Sequence, residues 1–397
     1  MKKILIASTA LVAAGMITAG SAAASEKIKL NLGGYSKWWV VGAWQDDSFK
    51  DSQGTTGQGD ANSVDVKGEN EVWFGGSTTL DNGLKVGVDM QLRAGGTVDT
   101  AGGQDTSGDV IDESYVWIQG GFGKVIVGTE NNGTYLLHVT APDAAGNWNE
   151  GGIMMGDLAI ARPTNVTQVP GGNTTAILTD GDADKLTYVA PTFYGLTLGA
   201  TYVPNAGEDN QRVYGGAVSS GAAGVQANEI YGVGALYAET FGGVGVKVSA
   251  GWVTYDIAQA TSQSNELAFG TQLSYAGFTL GGSYRNVNQN AAGGTNNVAN
   301  ANTASGYAWD LGLQYATGPY AVSLAYFNSK VNGATATVGD DEITAYQLSG
   351  KYNMGAGVDL LASAGYIEYD DESAKASTAD ANHNEGWTVM TGLSLSF

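Results

Sequence analysis

For nucleophilic or general-base chemistry the 397-residue chain offers two histidines, His138 and His383, and no cysteine. An activated nucleophile needs a base within hydrogen-bond reach, and the strained Gly-x-Ser-x-Gly turn that presents a serine does not occur. These residues point away from an enzyme. Asp180-Gly181-Asp182-Ala183-Asp184 starts like a helix–loop–helix calcium loop, which requires Gly at its sixth position and a bidentate Glu at its twelfth. Lys185 and Pro191 stand there instead, so Asp180, Asp182 and Asp184 remain weak metal candidates in a solvated acidic loop.

Lys2 and Lys3 precede an apolar run from Ile4 to Ala19 that ends in Ala22-Ala23-Ala24. The run is shorter than the roughly 20 residues of a spanning helix, and its pattern is that of a secretory signal peptide cleaved after Ala24. The expected organisation is a leader over 1–24 and a single domain over 25–397. Without Lys2 and Lys3, 39 acidic residues face 16 basic ones, a balance of −23 that excludes a nucleic-acid partner. Disorder is excluded by 20 Tyr and 9 Trp. Mean hydropathy is only −0.10 and the rest of the chain has no long apolar run. If it enters a bilayer it must do so as strands in a closed barrel, the only other way to pair every backbone group there.

Period-two alternation supports that reading. From Leu84 to Arg93 every even position is apolar, and from Tyr307 to Tyr315 every odd one is, with aromatic residues at the ends and aliphatic ones between. Tyr320-Val322-Leu324-Tyr326, Leu267-Phe269-Thr271-Leu273-Tyr275 and Tyr231-Val233-Ala235-Tyr237 repeat the arrangement. Rings at two heights with aliphatic chains between them mark a lipid-facing strand. Tight turns such as Asp81-Asn82-Gly83 and Thr317-Gly318-Pro319 take turns with long acidic connections. Sixteen strands result, the first at 28–45, the second at 68–80 and the last at 385–397. The expected fold is all-β, a transmembrane antiparallel up-and-down barrel.

Eight strands would be filled by their own side chains, whereas sixteen leave an aqueous channel. The alternation turns Lys37, Lys85, Asp89, Gln91, Arg93, Lys247, Arg285, Asp310, Gln314 and Lys351 inward. In a dry core such charges would cost several kcal/mol each, so a wet lumen is expected around them. No cofactor is expected. Divalent ions such as calcium would be held loosely at most, bridging Asp47, Asp51, Asp370, Asp371 and Glu372 to anionic lipid head groups.

Gly120-Gly121-Phe122-Gly123-Lys124-Val125-Ile126-Val127-Gly128, preceded by Tyr115-Val116-Trp117-Ile118, resembles the general porins of Gram-negative bacteria, in particular the alphaproteobacterial branch. Gly33-Gly34-Tyr35 and the terminal Leu393-Ser394-Leu395-Ser396-Phe397 are similar to the same family. The resemblance implies a homotrimer of sixteen-stranded barrels in the outer membrane, in contact with its lipids and lipopolysaccharide. Each barrel would pass small hydrophilic solutes and ions by passive diffusion. It also implies that a long loop, here 131–184, folds into the lumen. Asp143, Glu150 and Asp157 would form the acidic side of a constriction, faced by a basic wall of Lys37, Lys85 and Arg93. Thr129 stands where relatives often carry Arg, which thins the basic side. The acid excess suggests weak cation preference. Rival readings are a solute-specific channel of the same fold, for sugars or anions, and an outer-membrane enzyme or adhesin.

Overall fold

The structure is a computed structural model and describes residues 27–52, 63–93, 111–146, 160–208, 227–257, 262–290, 305–333 and 339–397. The expected leader and two of the expected constriction acids, Glu150 and Asp157, lie outside the described residues. Sixteen strands follow one another: β1 (Asn31–Gln45), β2 (Val64–Thr79), β3 (Lys85–Arg93), β4 (Ile111–Gly120), β5 (Gly123–Gly128), β6 (Lys185–Val189), β7 (Leu196–Asn205), β8 (Ala227–Phe241), β9 (Val244–Ile257), β10 (Ser264–Tyr275), β11 (Phe278–Asn288), β12 (Gly306–Thr317), β13 (Tyr320–Asn332), β14 (Asp340–Gly355), β15 (Val358–Asp370) and β16 (Asn384–Ser396). Two short helices, α1 (Asp47–Ser52) and α2 (Gly133–Leu136), interrupt the series.

Every strand pairs antiparallel with its chain neighbours, and β1 pairs with β16, from Tyr35 opposite Ser396 to Gln45 opposite Gly386. Closure leaves no sheet edge, the condition for burying a sheet in lipid. The strand reading from sequence holds throughout. β2 starts earlier than expected, at Val64, because Val64-Asp65-Val66-Lys67 continues the alternation and pairs with Gly42 to Trp39 of β1.

One parity of each strand faces outward and carries large apolar side chains that are half-exposed, among them Leu313 at 49% and Leu324 at 58%. Such a surface in water would be an aggregation liability, and in a bilayer it is solvated. Aromatic residues flank it in register. Tyr326, Tyr346, Tyr366, Trp387 and Trp44 stand opposite one another across five strands at one rim. Phe278 faces Tyr315, and Tyr320 faces Tyr352, at the other. Ring centroids in these pairs lie 4.5–5.1 Å apart. The two rows are the interfacial belts that the spacing of rings in the sequence predicted.

Candidate functional site

Between β5 and β6 the chain leaves the wall. Gly128, the last residue of β5, has φ +131°, and a Cβ there would overlap the Ser114 carbonyl oxygen. Only glycine makes that exit without strain. The described residues 129–146 and 160–184 then lie against inward side chains of strands from β7 round to β16 and β1, which places them inside the barrel. Asn132 caps α2, its Oδ1 accepting from the backbone N–H of Thr134 and Tyr135 at 2.9 Å each.

A track of inward glycines makes room for this course. A Cβ on Gly199 or Gly234 would meet the Gly133 oxygen at 3.0 or 2.6 Å, and one on Gly251 would meet Thr134 at 3.1 Å. Further along, Gly270 lies under the Val139 carbonyl, and a Cβ on Gly312 would stand 3.0 Å from Ala141. Part of the high glycine content, 60 residues, is thereby explained by close approach of a second layer of backbone.

Apolar packing and polar anchors fix the segment. Ala141, Ala145, Ile160, Val166 and Val169 form one buried cluster with inward side chains of β11–β16 and β1, including Phe327, Ile343, Met390 and Trp39. Ile177 and Ala183 join a second cluster with Val203, Ile230, Val253 and Tyr255. Each fully buried Ile or Val contributes about 1.5–3 kcal/mol relative to exposure. Among the polar anchors, Gln272 Nε2 donates to the Thr140 oxygen at 2.7 Å and Ser323 Oγ accepts from the Ala144 N–H at 2.8 Å.

This second layer corrects one expectation. Arg285 and Asp310 have the inward parity read from sequence, but they are dry, at 0% and 2% exposure. Arg285 Nη2 pairs with Glu266 Oε2 at 2.5 Å, and its Nη1 donates to the Ala176 oxygen at 2.7 Å. Asp310 Oδ1 accepts from Ser283 Oγ at 2.7 Å and from the Ala141 N–H at 3.2 Å. The desolvation cost is met by full pairing beneath the segment rather than by water. Gln314, also read as inward, is buried as well.

His138 belongs to the same layer, its Nε2 3.4 Å from Thr175 Oγ1. Burial and the Arg285 guanidinium push its pKa well below the ordinary imidazole range, to about 3. Asp143 Oδ1 accepts from Ser323 Oγ at 3.0 Å, which ties it back to β13. Asp180 is buried against Lys185 Nζ at 3.3 Å and Asn132 Nδ2 at 2.5 Å. The oxygens of Asp180, Asp182 and Asp184 do not gather within ligand distance of one another.

Beyond Trp39 and Val41, which the inner segment covers, inward residues of β1–β3 such as Lys37, Glu69 and Arg93 are half-buried or exposed. Lys37 Nζ pairs with Glu69 Oε2 at 3.0 Å and Arg93 Nη2 with Asp112 Oδ1 at 2.5 Å. Lys85 does not join them. It lies eight residues from Arg93 along β3, about 26 Å at strand rise. Glu71 accepts from Tyr35 Oη at 3.0 Å and Trp73 Nε1 at 2.8 Å, and Asp89 from Trp117 Nε1 at 3.0 Å. Lys124 Nζ stands 5.0 Å from the Trp117 ring centroid, a cation–π distance. Lys247 and Lys351 keep the inward parity of β9 and β14, the first exposed and the second half-buried. Glu69, Glu71, Glu113 and Lys124 were not singled out from sequence. Their parity, continued from Trp73 and Trp117, was the signal that could have found them.

Residues 7–372 match the family model described as Gram-negative porin. No curated protein sequence matches the chain. Among solved structures it is similar to the anion-selective porin from Comamonas acidovorans, at 15% identity and TM-score 0.57 over 94% of this chain and 100% of that one. The outer membrane channel DcaP of Acinetobacter baumannii is similar at 16% identity and TM-score 0.56, over 96% and 100%. The trimer form of in-vitro folded OmpT, an outer membrane protein of Vibrio cholerae, is similar at 12% identity and TM-score 0.54, over 94% and 100%.

Proposed function

The chain belongs to the Gram-negative porin family, and from that premise we infer how its lumen sorts what passes. The protein is an outer-membrane channel through which small hydrophilic solutes and ions diffuse passively. In our reading the inner segment narrows the path from one side, and the inward faces of β1–β3 bound it on the other. The channel prefers cations weakly.

One observation carries that preference. Lys37 and Arg93 are each matched by a carboxylate, whereas Glu71 and Asp89 are held by neutral donors, the Tyr35 hydroxyl and the Trp73 and Trp117 indoles. Lys124 acts on Asp89 and Arg93 on Glu71 without a hydrogen bond, so part of the negative charge is left uncompensated and concentrates cations. Glu150 and Asp157 keep their proposed place on the acidic rim, while Asp143 acts as an anchor to Ser323. Reversal potentials across a planar bilayer in a salt gradient test this: a cation-positive ratio is expected, and clear anion preference overturns it. The reading assigns no catalytic step to the protein.

The aromatic wall favours one second reading, a solute-specific channel. Tyr35 and Trp73 meet edge to face at 5.8 Å beside Glu69 and Glu71, a surface on which sugar rings could stack. Saturable block of conductance by one sugar class would favour it over general diffusion.

We further propose a homotrimer in contact with outer-membrane lipid and lipopolysaccharide. The trimer form of OmpT supports the assembly, and so does an outward polar contact on β1 and β2, where Ser36 Oγ lies 2.6 Å from Asn70 Oδ1. Small and polar residues suit close contact with protein better than with lipid tails. Cross-linking of the detergent-solubilised protein to trimers is expected, and monomers alone would rule the assembly out.

A further inference from the structure

We propose that Asp341, Asp371 and Glu372 form a binding site for a hard divalent cation, calcium in the first instance, that ties the inner segment to the loop after β15. One carboxylate oxygen from each residue lies within 4.8 Å of the others. A calcium ion with ligands at 2.3–2.6 Å sets opposed oxygens about 4.6–5.2 Å apart, so a single ion reaches all three. All three donors are oxygens, the ligand type of calcium and magnesium rather than of zinc or copper.

The surroundings separate this group from an ordinary acidic surface. Asp341 is fully buried at the start of β14 and Asp371 is 5% exposed. Among the described residues neither forms an ion pair with Lys or Arg. Asp371 Oδ1 accepts the Ser373 N–H at 2.8 Å, but its Oδ2 is buried with no hydrogen-bond partner. A buried carboxylate oxygen left so is costly unless something positive reaches it. Glu372 is confined by glycine backbone: a Cβ on Gly339 would stand 2.5 Å from its own Cβ, and one on Gly333 would overlap its carboxylate. Its backbone N–H donates to Asp341 Oδ1 at 3.2 Å.

Asp341 Oδ2 also accepts the N–H of Thr167, at 2.6 Å, and Thr167 belongs to the inner segment. The cation therefore sits where β14, the loop after β15 and the inner segment meet. Because Asp341 and Asp371 are buried, the ion bridges parts of one chain.

Equilibrium dialysis of the folded, chelator-treated protein against radioactive calcium chloride tests the site. About one ion bound per chain with millimolar or better affinity is expected, as for extracellular calcium modules. Asp371→Asn should lose that ion, and Glu372→Gln should weaken binding about tenfold. Asp47→Asn with Asp51→Asn, acids of the exposed α1 region, should keep it. Heat-modifiable migration establishes that each variant is folded. Wild-type protein binding no calcium, or folded Asp371→Asn binding as much as wild type, overturns the proposal. A cation preference that survives in Asp371→Asn shows that the fate of this site and that of the lumen reading are independent.

Discussion

Arg285 Nη2 and Glu266 Oε2 lie 2.5 Å apart on β11 and β10 with neither side chain exposed, and the guanidinium also holds the Ala176 carbonyl of the inner segment. The pair is at once part of the wall and a clamp on what lies against it. Thr179 Oγ1 donates to the other oxygen of Glu266, so both partners grip the same stretch of segment.

Glu266→Gln should therefore loosen the segment more than the barrel. Leaving the guanidinium buried without its partner costs about 3–5 kcal/mol, taken mainly from docking because all sixteen strand pairings are untouched. Single-channel traces should show a noisier open level, with heat-modifiable migration retained. The double variant Glu266→Leu/Arg285→Met should be quieter than Glu266→Gln alone, since it leaves no orphaned charge; equal noise would show that the ion pair carries none of the docking.

Gly270→Ala tests the same docking by volume rather than charge. Its Cβ would occupy the place of the Val139 carbonyl oxygen, so either β10 or the segment must shift, and the segment has fewer bonds to lose. Higher conductance with native barrel mobility is expected. Gly350→Ala, where a Cβ would meet only the Ala321 oxygen at 3.9 Å, is the control and should behave as wild type.

The barrel was legible in sequence because lipid imposes one rule on every strand: alternate positions must be apolar wherever the wall meets hydrocarbon. Trp309, Leu311, Leu313 and Tyr315 obey it, and their inward neighbours Asp310 and Gln314 follow by parity. What parity could not tell is whether an inward residue meets water or a second layer. Arg285 was read correctly as inward and incorrectly as wet, because the course of 129–184 has no period of its own. That course depends on glycines at 199, 234, 251, 270 and 312, each on a different strand, which align only after the barrel closes. Asp341 was unreadable for a similar reason: Asp371 and Glu372 come to it from the next long connection.

Selectivity should respond to the wall residues unequally. Glu71→Gln with Asp89→Asn removes the two carboxylates held by neutral donors and should lower the cation-to-anion permeability ratio about twofold. Lys85→Ala, remote from the Lys37 and Arg93 pairs, should change it little. A larger effect from Lys85 than from the two acids would move the selective zone to the short-turn end of β3. Raising salt should shrink the effect of the double variant, since the Debye length falls from about 10 Å at 0.1 M to about 3 Å at 1 M.

Acid should undock the segment through His138. Its docked form resists protonation down to about pH 3, because burial and the Arg285 guanidinium disfavour the imidazolium. Once undocked, the ring regains an ordinary value near 6.5. Above that pH both forms are neutral and docking is unaffected. As pH falls below it the undocked form takes up a proton that the docked form refuses, so docking weakens steadily until about pH 3. Conductance noise measured from pH 7 to pH 4 should rise in the wild type and stay flatter in His138→Gln, which cannot titrate. If both proteins respond alike, acid acts elsewhere, and Asp380, whose carboxyl is held below its ordinary value against the pull of burial by N–H groups of Asn382 and Ala376 and by His383, becomes the group to neutralise next.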